Sequence, residues 1–183
     1  DCGFNDIAIQ SDGAIVAVGR SRSGEAYDQL ATLVRYTSAG TLDSSFGNGG
    51  VVTTDLGSDF FELRSLALQS DGKIVVAGQY GSGSVVSRYN SDGSLDTGFG
   101  ENGLYYSAMQ IPGISVLPDN KILLKGYSSP AFDAERLSSS GELDEGFDAE
   151  LTSGIPWADS AIQEDGKFLL AGADGSELAV ARY

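Results

Sequence analysis

The feature that most constrains this chain is a segment that occurs four times along it. The string IAIQSDGAIVAVG (7–19) returns as LALQSDGKIVVAG (66–78), more loosely as ISVLPDNKILLKG (114–126), and again as SAIQEDGKFLLAG (160–172). Self-similarity of this kind means that one small supersecondary unit is stacked several times and that neighbouring units share a core. The fold is therefore decided by the structure of a single unit.

Each copy of this segment is typical of a tight β-hairpin. Apolar residues alternate on both sides of a Ser-Asp-Gly turn, and Asp-Gly supplies the positive φ angles that a two-residue hairpin turn requires. Asn120 replaces the glycine in the third copy, and Asn tolerates left-handed backbone better than most residues. A bulge or close backbone approach is expected at the glycines that close the second strand, which are Gly19, Gly78, Gly126 and Gly172.

Two further blocks follow the hairpins. One ends in Arg-Tyr or a variant of it and predicts a third strand. The other, G-x-L-D-x-x-F, occurs three times, and the strings VVTT (51–54) and LYYS (104–107) after its first two copies predict a fourth strand. Four short antiparallel strands per unit are typical of a β-propeller blade, and no segment shows a sustained helical period. We predict an all-β, propeller-type repeat fold of about four four-stranded blades, with a β-sandwich and a β-solenoid as alternatives.

The blocks divide a single repeat domain, 1–183, into approximate repeats 4–60, 61–112, 113–158 and 159–183. The last repeat is truncated after its Arg-Tyr strand, so we expect its blade to be incomplete. Blades bury their faces only by stacking around an axis, usually four to eight of them. Three interpretations stay open: part of a larger propeller, a ring completed by another subunit through self-assembly or edge-strand pairing, or a small closed ring.

The repeat resembles one known from bacteria. The string SDGSLDTGFGENG (91–103), after LALQSDGKIVVAG and VVSRYN (85–90), is similar to the bacterial delta-60 β-propeller repeat, whose pattern is roughly LDxSFGxxG, a strand, QxDGKIxVAG and RY. The likeness spans nearly the whole chain, and the third copy is degenerate. It implies a secreted or cell-surface protein without established enzymatic activity. We therefore expect a non-catalytic extracellular or surface module, not an enzyme, with a structural or recognition role.

Composition narrows the function further. The chain has no His, which removes Ser-His-Asp and Cys-His mechanisms and most zinc sites. Its formal net charge of −15 argues against binding to nucleic acid or anionic membranes, because both reward clusters of Lys and Arg. No apolar run approaches the ~20 residues of a membrane span, so no membrane insertion is expected. Cys2 is the only cysteine and is expected to be a free or intermolecular thiol.

One loop has the spacing of an oxygen-rich calcium site. Asn90, Asp92 and Asp96 follow the pattern N-x-D-G-x-x-D, which combines turn carboxylates with a glycine. The equivalent loops TSAGTLD (37–43) and SSSGELD (138–144) lose the first two ligand positions. Calcium is therefore a candidate in one copy only, with an ordinary Asp-Gly turn as the alternative. No other cofactor is expected.

An arginine at the end of the third strand and an aspartate eight residues later recur in three copies. The pairs are Arg35 with Asp43, Arg88 with Asp96, and Arg136 with Asp144. Such regular pairing predicts a structural contact in which the guanidinium bonds a carboxylate or turn carbonyls. The functional alternative is a ring of arginines that binds anions along a central channel.

A protein or glycan ligand is the partner that this architecture favours. Loops at one end of the ring would present the contact surface, and exposed aromatic residues would suit a sugar. The aromatic candidates are Tyr105, Tyr106, Tyr127 and Trp157. The alternative functions are a calcium-dependent adhesion module, a subunit of a surface assembly, and a glycoside hydrolase with paired carboxylates, although no pair stands out among 26 Asp and Glu residues.

Overall fold

Every regular element of the protein is a β-strand in the part of the chain that the computed structural model describes. That part comprises residues 3–22, 29–57, 59–128, 131–147, 157–163, 165, 167–174 and 177–182. Within it no helix is long and apolar enough to cross a bilayer. Cys2 lies outside the described residues. The prediction of an all-β, propeller-type fold is confirmed.

The strands form four antiparallel sheets that follow one another along the chain. The first sheet contains β1 (Gly3–Ile9), β2 (Ile15–Arg22), β3 (Gln29–Tyr36) and β4 (Val51–Thr54). The second contains β5 (Phe60–Leu68), β6 (Ile74–Tyr80), β7 (Gly83–Tyr89) and β8 (Leu104–Ser107). The third contains β9 (Gln110–Val116), β10 (Ile122–Ser128) and β11 (Ala131–Leu137). The fourth contains β12 (Trp157–Ile162), β13 (Phe168–Asp174) and β14 (Glu177–Arg182).

Each sheet is a meander, because every strand pairs with its neighbours in sequence. The first three sheets pack face to face, and the first strand of one contacts the first strand of the next, as β1 does with β5 and β5 with β9. These first strands therefore lie toward the common axis, and the fourth strands lie at the periphery. A fourth strand of the third repeat would fall on residues 148–156, outside the described residues.

The hairpin turns are one residue longer than predicted. The Gly13 N–H donates to the Gln10 carbonyl at 2.9 Å and the Gln10 N–H to the Ala14 carbonyl at 2.8 Å, which makes a three-residue loop. Among the three loop residues, only the last, Gly13, has a positive φ angle. The Asp12 carboxylate accepts a hydrogen bond from the Ala14 N–H at 2.9 Å, which stabilises the turn. The expectation for Asn120, at that last position, is confirmed by its φ of +63°.

The glycines near the end of each second strand lie against neighbouring backbone. β5 changes register beside Gly78, and a Cβ on Gly78 would overlap the Glu62 carbonyl oxygen. Gly19 and Gly126 approach the preceding strand in the same way. The predicted bulge and close approach are confirmed at these three positions, since only a residue without a side chain fits there.

Among the described residues, two apolar cores lie between the first three sheets. Val18 and Leu33 of the first sheet pack with Leu66 of the second, and Val86 of the second sheet packs with Ile114 of the third. The phenylalanines that end the first two L-D-x-x-F blocks belong to these cores and have no exposed surface. They are Phe46 and Phe99.

One position of the repeat tests this packing directly. Leu66 is 7% exposed between the first two sheets, whereas its counterpart Ile7 is 63% exposed. We expect Leu66→Ala to lower the free energy of unfolding by about 2–4 kcal/mol, because it leaves a cavity. Ile7→Ala should cost less than ~1 kcal/mol. Urea denaturation measures both, and equal losses would contradict the exposed face of the first sheet.

Candidate functional site

The recurring arginine and aspartate lie together in three sheets. The Arg88 Nε donates to Asp96 Oδ2 at 2.7 Å, and the guanidinium lies 4.8 Å from the centre of the Phe99 ring. The Asp96 N–H bonds the Arg88 carbonyl at 2.9 Å, so the backbone sets this geometry. The corresponding Nε–Oδ2 distances are 2.8 Å for Arg35 with Asp43 and 3.0 Å for Arg136 with Asp144.

Two of these arginines also reach the next repeat. Arg35 Nη1 donates to the backbone carbonyl of Ser91, and Arg88 Nη1 donates to that of Ser139. Their side chains are 10% and 9% exposed, because protein groups surround them. Each guanidinium thus connects the loop of its own repeat to the loop of the next repeat. Its planar group carries several N–H donors, so it can bond the aspartate and the backbone carbonyl at the same time.

The candidate calcium ligands are engaged with protein cations and backbone. Asp96 Oδ2 accepts hydrogen bonds from Arg88 and from Lys73, whose ammonium lies 2.8 Å away. Asn90 Oδ1 accepts from the same Lys73 ammonium at 2.9 Å, and Asp92 Oδ1 accepts two bonds within its own turn. Within the described ranges, no group of three or more acidic or Cys side chains is placed to hold a metal. A cation would have to displace Lys73 from this loop.

Hydrogen bonds lower the pKa of the aspartates in these pairs. The bond from Lys73 is the largest cause of the lowered pKa of Asp96, and the Gly98 N–H and Arg88 add to it. For Asp43 the chief cause of the lowered pKa is its pair of bonds from Ser45. These carboxylates are therefore held in their charged form in the folded protein.

The lowered pKa values predict a loss of stability in acid. The unfolded carboxyls titrate near 3.8, above their folded values, so their stabilising effect is complete above that pH and is lost as the pH falls through the folded pKa values. We expect the thermal midpoint to drop steeply below about pH 4, and to drop less steeply in Asp96→Asn. Circular dichroism melts from pH 7 to about pH 2.5 measure this, and a midpoint that stays constant below pH 4 would contradict it.

The hairpin ends of the second, third and fourth sheets line an open depression of about 410 Å³, which we call the channel mouth. Its apolar wall includes the last residue of the first strand in three sheets, and its polar rim includes neutral amides from the turns. The apolar residues are Leu68, Val116 and Ile162, and the amides are Gln69, Asn120 and Gln163. No described side chain that lines the channel mouth carries a charge.

Hydrogen bonds between repeats fix part of this rim. The Ser70 N–H donates to Asn120 Oδ1 at 2.8 Å, and Asn120 Nδ2 donates to Ser70 Oγ at 2.8 Å. Gln69 Nε2 donates to the Asn120 carbonyl at 2.9 Å, and Gln69 Oε1 accepts from Arg88 Nη1 at 3.3 Å. The turns of the second and third sheets therefore form one rigid edge of the channel mouth.

The three tyrosines selected as sugar platforms do not line the channel mouth. The Tyr105 hydroxyl donates a hydrogen bond to Glu135 at 2.9 Å. The pKa of Tyr105 is raised, chiefly by burial and to a lesser extent by the Glu135 carboxylate. Tyr106 lies on the peripheral strand β8 and packs edge-on against Tyr80, with ring centroids 5.0 Å apart. Tyr127 is exposed. The side chain of Trp157 lies outside the described residues.

The sequence contained one signal for the channel mouth that was not used. A glutamine directly follows the first strand in three of the four repeats, at Gln10, Gln69 and Gln163. The first strands of the sheets run in the same direction along the axis, so the residues that follow them lie at the same end of the propeller. A glutamine that recurs at this position therefore predicts a cluster of neutral amides at that end.

Comparison with known families agrees with this architecture. The model of a domain of unknown function with a β-propeller fold, DUF5122, matches residues 10–46 and 69–99. These are β-propeller repeats. The delta-60 assignment that the sequence resemblance implied stays a prediction. The propeller has no significant match among curated proteins.

Solved structures share the propeller fold. A gluconolactonase from Xanthomonas campestris aligns with a TM-score of 0.53 at 15% identity, over 92% of this chain and 54% of its own. A second protein, a candidate gluconolactonase, aligns with a TM-score of 0.51 at 11% identity, over 98% of this chain and 58% of its own. The propeller therefore spans little more than half the length of these structures. Identities this low show the fold alone.

The prediction that the protein is not an enzyme is contradicted by these neighbours. The solved propellers that share its fold include a gluconolactonase, so this architecture is one that carries catalysis. The prediction was wrong because it rested on a resemblance to repeats without established activity, and a propeller fold does not determine whether a site on it is catalytic; the absence of His excludes only particular mechanisms. No catalytic residue is transferred at this level of identity.

Proposed function

We propose that this chain is the ligand-recognition part of a β-propeller and that it binds an uncharged, polyhydroxylated ligand, a glycan, at the channel mouth. The composition of the channel mouth carries the proposal: aliphatic side chains form a wall, and amides with the Ser70 hydroxyl form the rim. These amides already bond protein groups, including Arg182 in the case of Gln163, but an amide NH2 carries two hydrogens and its oxygen accepts two bonds, so each keeps capacity for a ligand hydroxyl. A sugar ring has an apolar face that can pack on the aliphatic wall and hydroxyl groups at its edge that can bond the polar rim.

Size and charge support the same ligand class. A volume of about 410 Å³ lies in the range of small-molecule sites, which are mostly apolar with a few placed polar groups. The formal net charge of −15 repels anionic ligands, whereas it has no such effect on a neutral glycan. A secreted or cell-surface location, where glycans are abundant, is part of the proposal.

Binding is tested with the chain and a panel of neutral cello-, malto- and chito-oligosaccharides beside acidic pectin and heparin fragments. We expect binding to at least one neutral series and none to the acidic fragments. Val116→Arg, which places a long cation in the channel mouth, should weaken binding at least about tenfold. Isothermal titration calorimetry measures the change, and circular dichroism verifies folding.

Tyr106→Arg is the matched control, because it adds the same charge on the peripheral strand β8. Its affinity should stay within about twofold of the parent protein. Binding restricted to acidic fragments, or an equal loss of affinity in both variants, would contradict a glycan site at the channel mouth.

A further inference from the structure

A second cavity adjoins the channel mouth in the crevice between the first and second sheets. Its volume is about 320 Å³, and it shares Leu68, Gln69 and Ser70 with the channel mouth. Its opposite wall carries Gln10 and Arg35 of the first repeat. The two cavities thus lie on either side of residues 68–70, and a ligand that occupies both passes over this segment.

The crevice is open because a glycine occupies one turn position. Gly72 holds the last position of the second hairpin turn with φ +85°, and Asn120 holds the same position in the third turn. The Asn120 side chain bridges back to the N–H and hydroxyl of Ser70 and so joins the second and third turns. Gly72 has no side chain with which to reach Ser11, the counterpart of Ser70.

The first repeat also lacks a bond that the second repeat makes. Gln69 Oε1 accepts from Arg88, whereas Gln10 Oε1 is shielded from water and has no hydrogen-bond partner among the described residues. Arg35 Nη1, in the position of Arg88, donates one N–H to the Ser91 carbonyl, and this terminal nitrogen carries a second N–H. A buried acceptor without a donor is costly.

A hydroxyl group has both the acceptor and the donor that these two side chains require. It can accept a hydrogen bond from Arg35 and donate one to Gln10 Oε1, which rotation of the terminal amide turns toward the crevice. A carboxylate would satisfy Arg35 but would leave Gln10 Oε1 facing another acceptor. The chemistry of the crevice therefore matches a sugar hydroxyl.

We infer that the crevice between the first two sheets is a second sugar subsite, so that the ligand is an oligosaccharide of at least two rings. This inference rests on the proposed function, because the first ring occupies the channel mouth. The crevice then holds the next ring, with a hydroxyl between Arg35 and Gln10.

Gly72→Asn tests the second subsite. A Cβ at Gly72 would lie 3.9 Å from Ser91 Cβ, an ordinary contact, and Asn120 shows that Asn adopts this backbone. The probes are the cello-, malto- and chito-oligosaccharides of one to four rings, measured by isothermal titration calorimetry. For the parent protein, affinity in the binding series should rise about tenfold or more from one ring to two. Gly72→Asn should lose this gain and bind the single ring as before.

Gly40→Asn is the matched control, since it makes the same substitution at a left-handed turn glycine of the first repeat (φ +81°), where an added Cβ meets no atom within 4 Å and which does not line the crevice. It should keep the gain from the second ring. No binding of any neutral sugar by the parent protein overturns the proposed function. Single-ring binding without a further gain, or a gain that survives Gly72→Asn, overturns the second subsite alone.

Discussion

Arg88→Ala is expected to lower the free energy of unfolding by about 2–4 kcal/mol, because buried polar groups lose their donor, although Asp96 keeps its bond from Lys73. The Arg88 side chain is 9% exposed. It bonds Asp96, donates to the Ser139 carbonyl of the next repeat and covers the Phe99 ring. The substitution breaks all three contacts simultaneously and leaves polar groups unpaired between two sheets. Urea denaturation measures the loss.

Arg182→Ala is the matched control. Arg182 bonds Asp165 at 2.7 Å, but both side chains are 50% exposed, so the expected loss is less than ~1 kcal/mol. Arg88→Lys should recover only part of the lost stability, since a single ammonium cannot serve the carboxylate and the carbonyl as a planar fork does. Equal losses of unfolding free energy for Arg88→Ala and Arg182→Ala would contradict the claim that the buried arginine between repeats stabilises the fold more than the exposed one.

Gly78→Ala is expected to cost about 3 kcal/mol or more, or to prevent folding. The added Cβ would overlap the Glu62 carbonyl of β5. No side-chain rotation relieves this overlap, because the opposing atom belongs to the backbone of the paired strand. Relief requires β5 to separate from β6, which disturbs the core between the first two sheets. Thermal and urea denaturation measure the effect.

Gly113→Ala is the control for this prediction. Gly113 also lies in a strand, but a Cβ there would lie 3.6 Å from Lys125 Cε, which is an ordinary contact with a flexible side chain. Gly113→Ala should change the free energy of unfolding by no more than about 1 kcal/mol. Part of the change is stabilising, because alanine reduces the conformational entropy of the unfolded chain. Similar losses for Gly78→Ala and Gly113→Ala would contradict the close approach of β5 and β6.

The fold was predictable because its information is local and repeated. Alternating strands, turn residues and strand-closing glycines recur in order, and each copy supports the others. The turn length was predicted wrongly because Asp-Gly suits both a two-residue and a three-residue loop. The hydrogen bond from the Gly13 N–H to the Gln10 carbonyl distinguishes them, and sequence does not show that bond.

The candidate site was less predictable because it is assembled from several repeats. The apolar wall is made of residues that each occupy an ordinary apolar position of an alternating strand, namely Leu68, Val116 and Ile162. They meet at one cavity only because the sheets are arranged around a common axis. Likewise, the difference between Gly72 and Asn120 looks like a tolerated exchange within a turn. Its effect on the crevice follows from the neighbouring sheet, which no single repeat contains.

The most direct test of the account is an amide NMR titration of the protein with the neutral oligosaccharide that it binds best. The account predicts shifted resonances at the turns around the channel mouth and the crevice, at Ser11, Ser70 and Asn120. It also predicts unchanged resonances in the peripheral strands β4 and β8. Shifts concentrated in those peripheral strands, or no shifts with any neutral oligosaccharide of the panel, would contradict it.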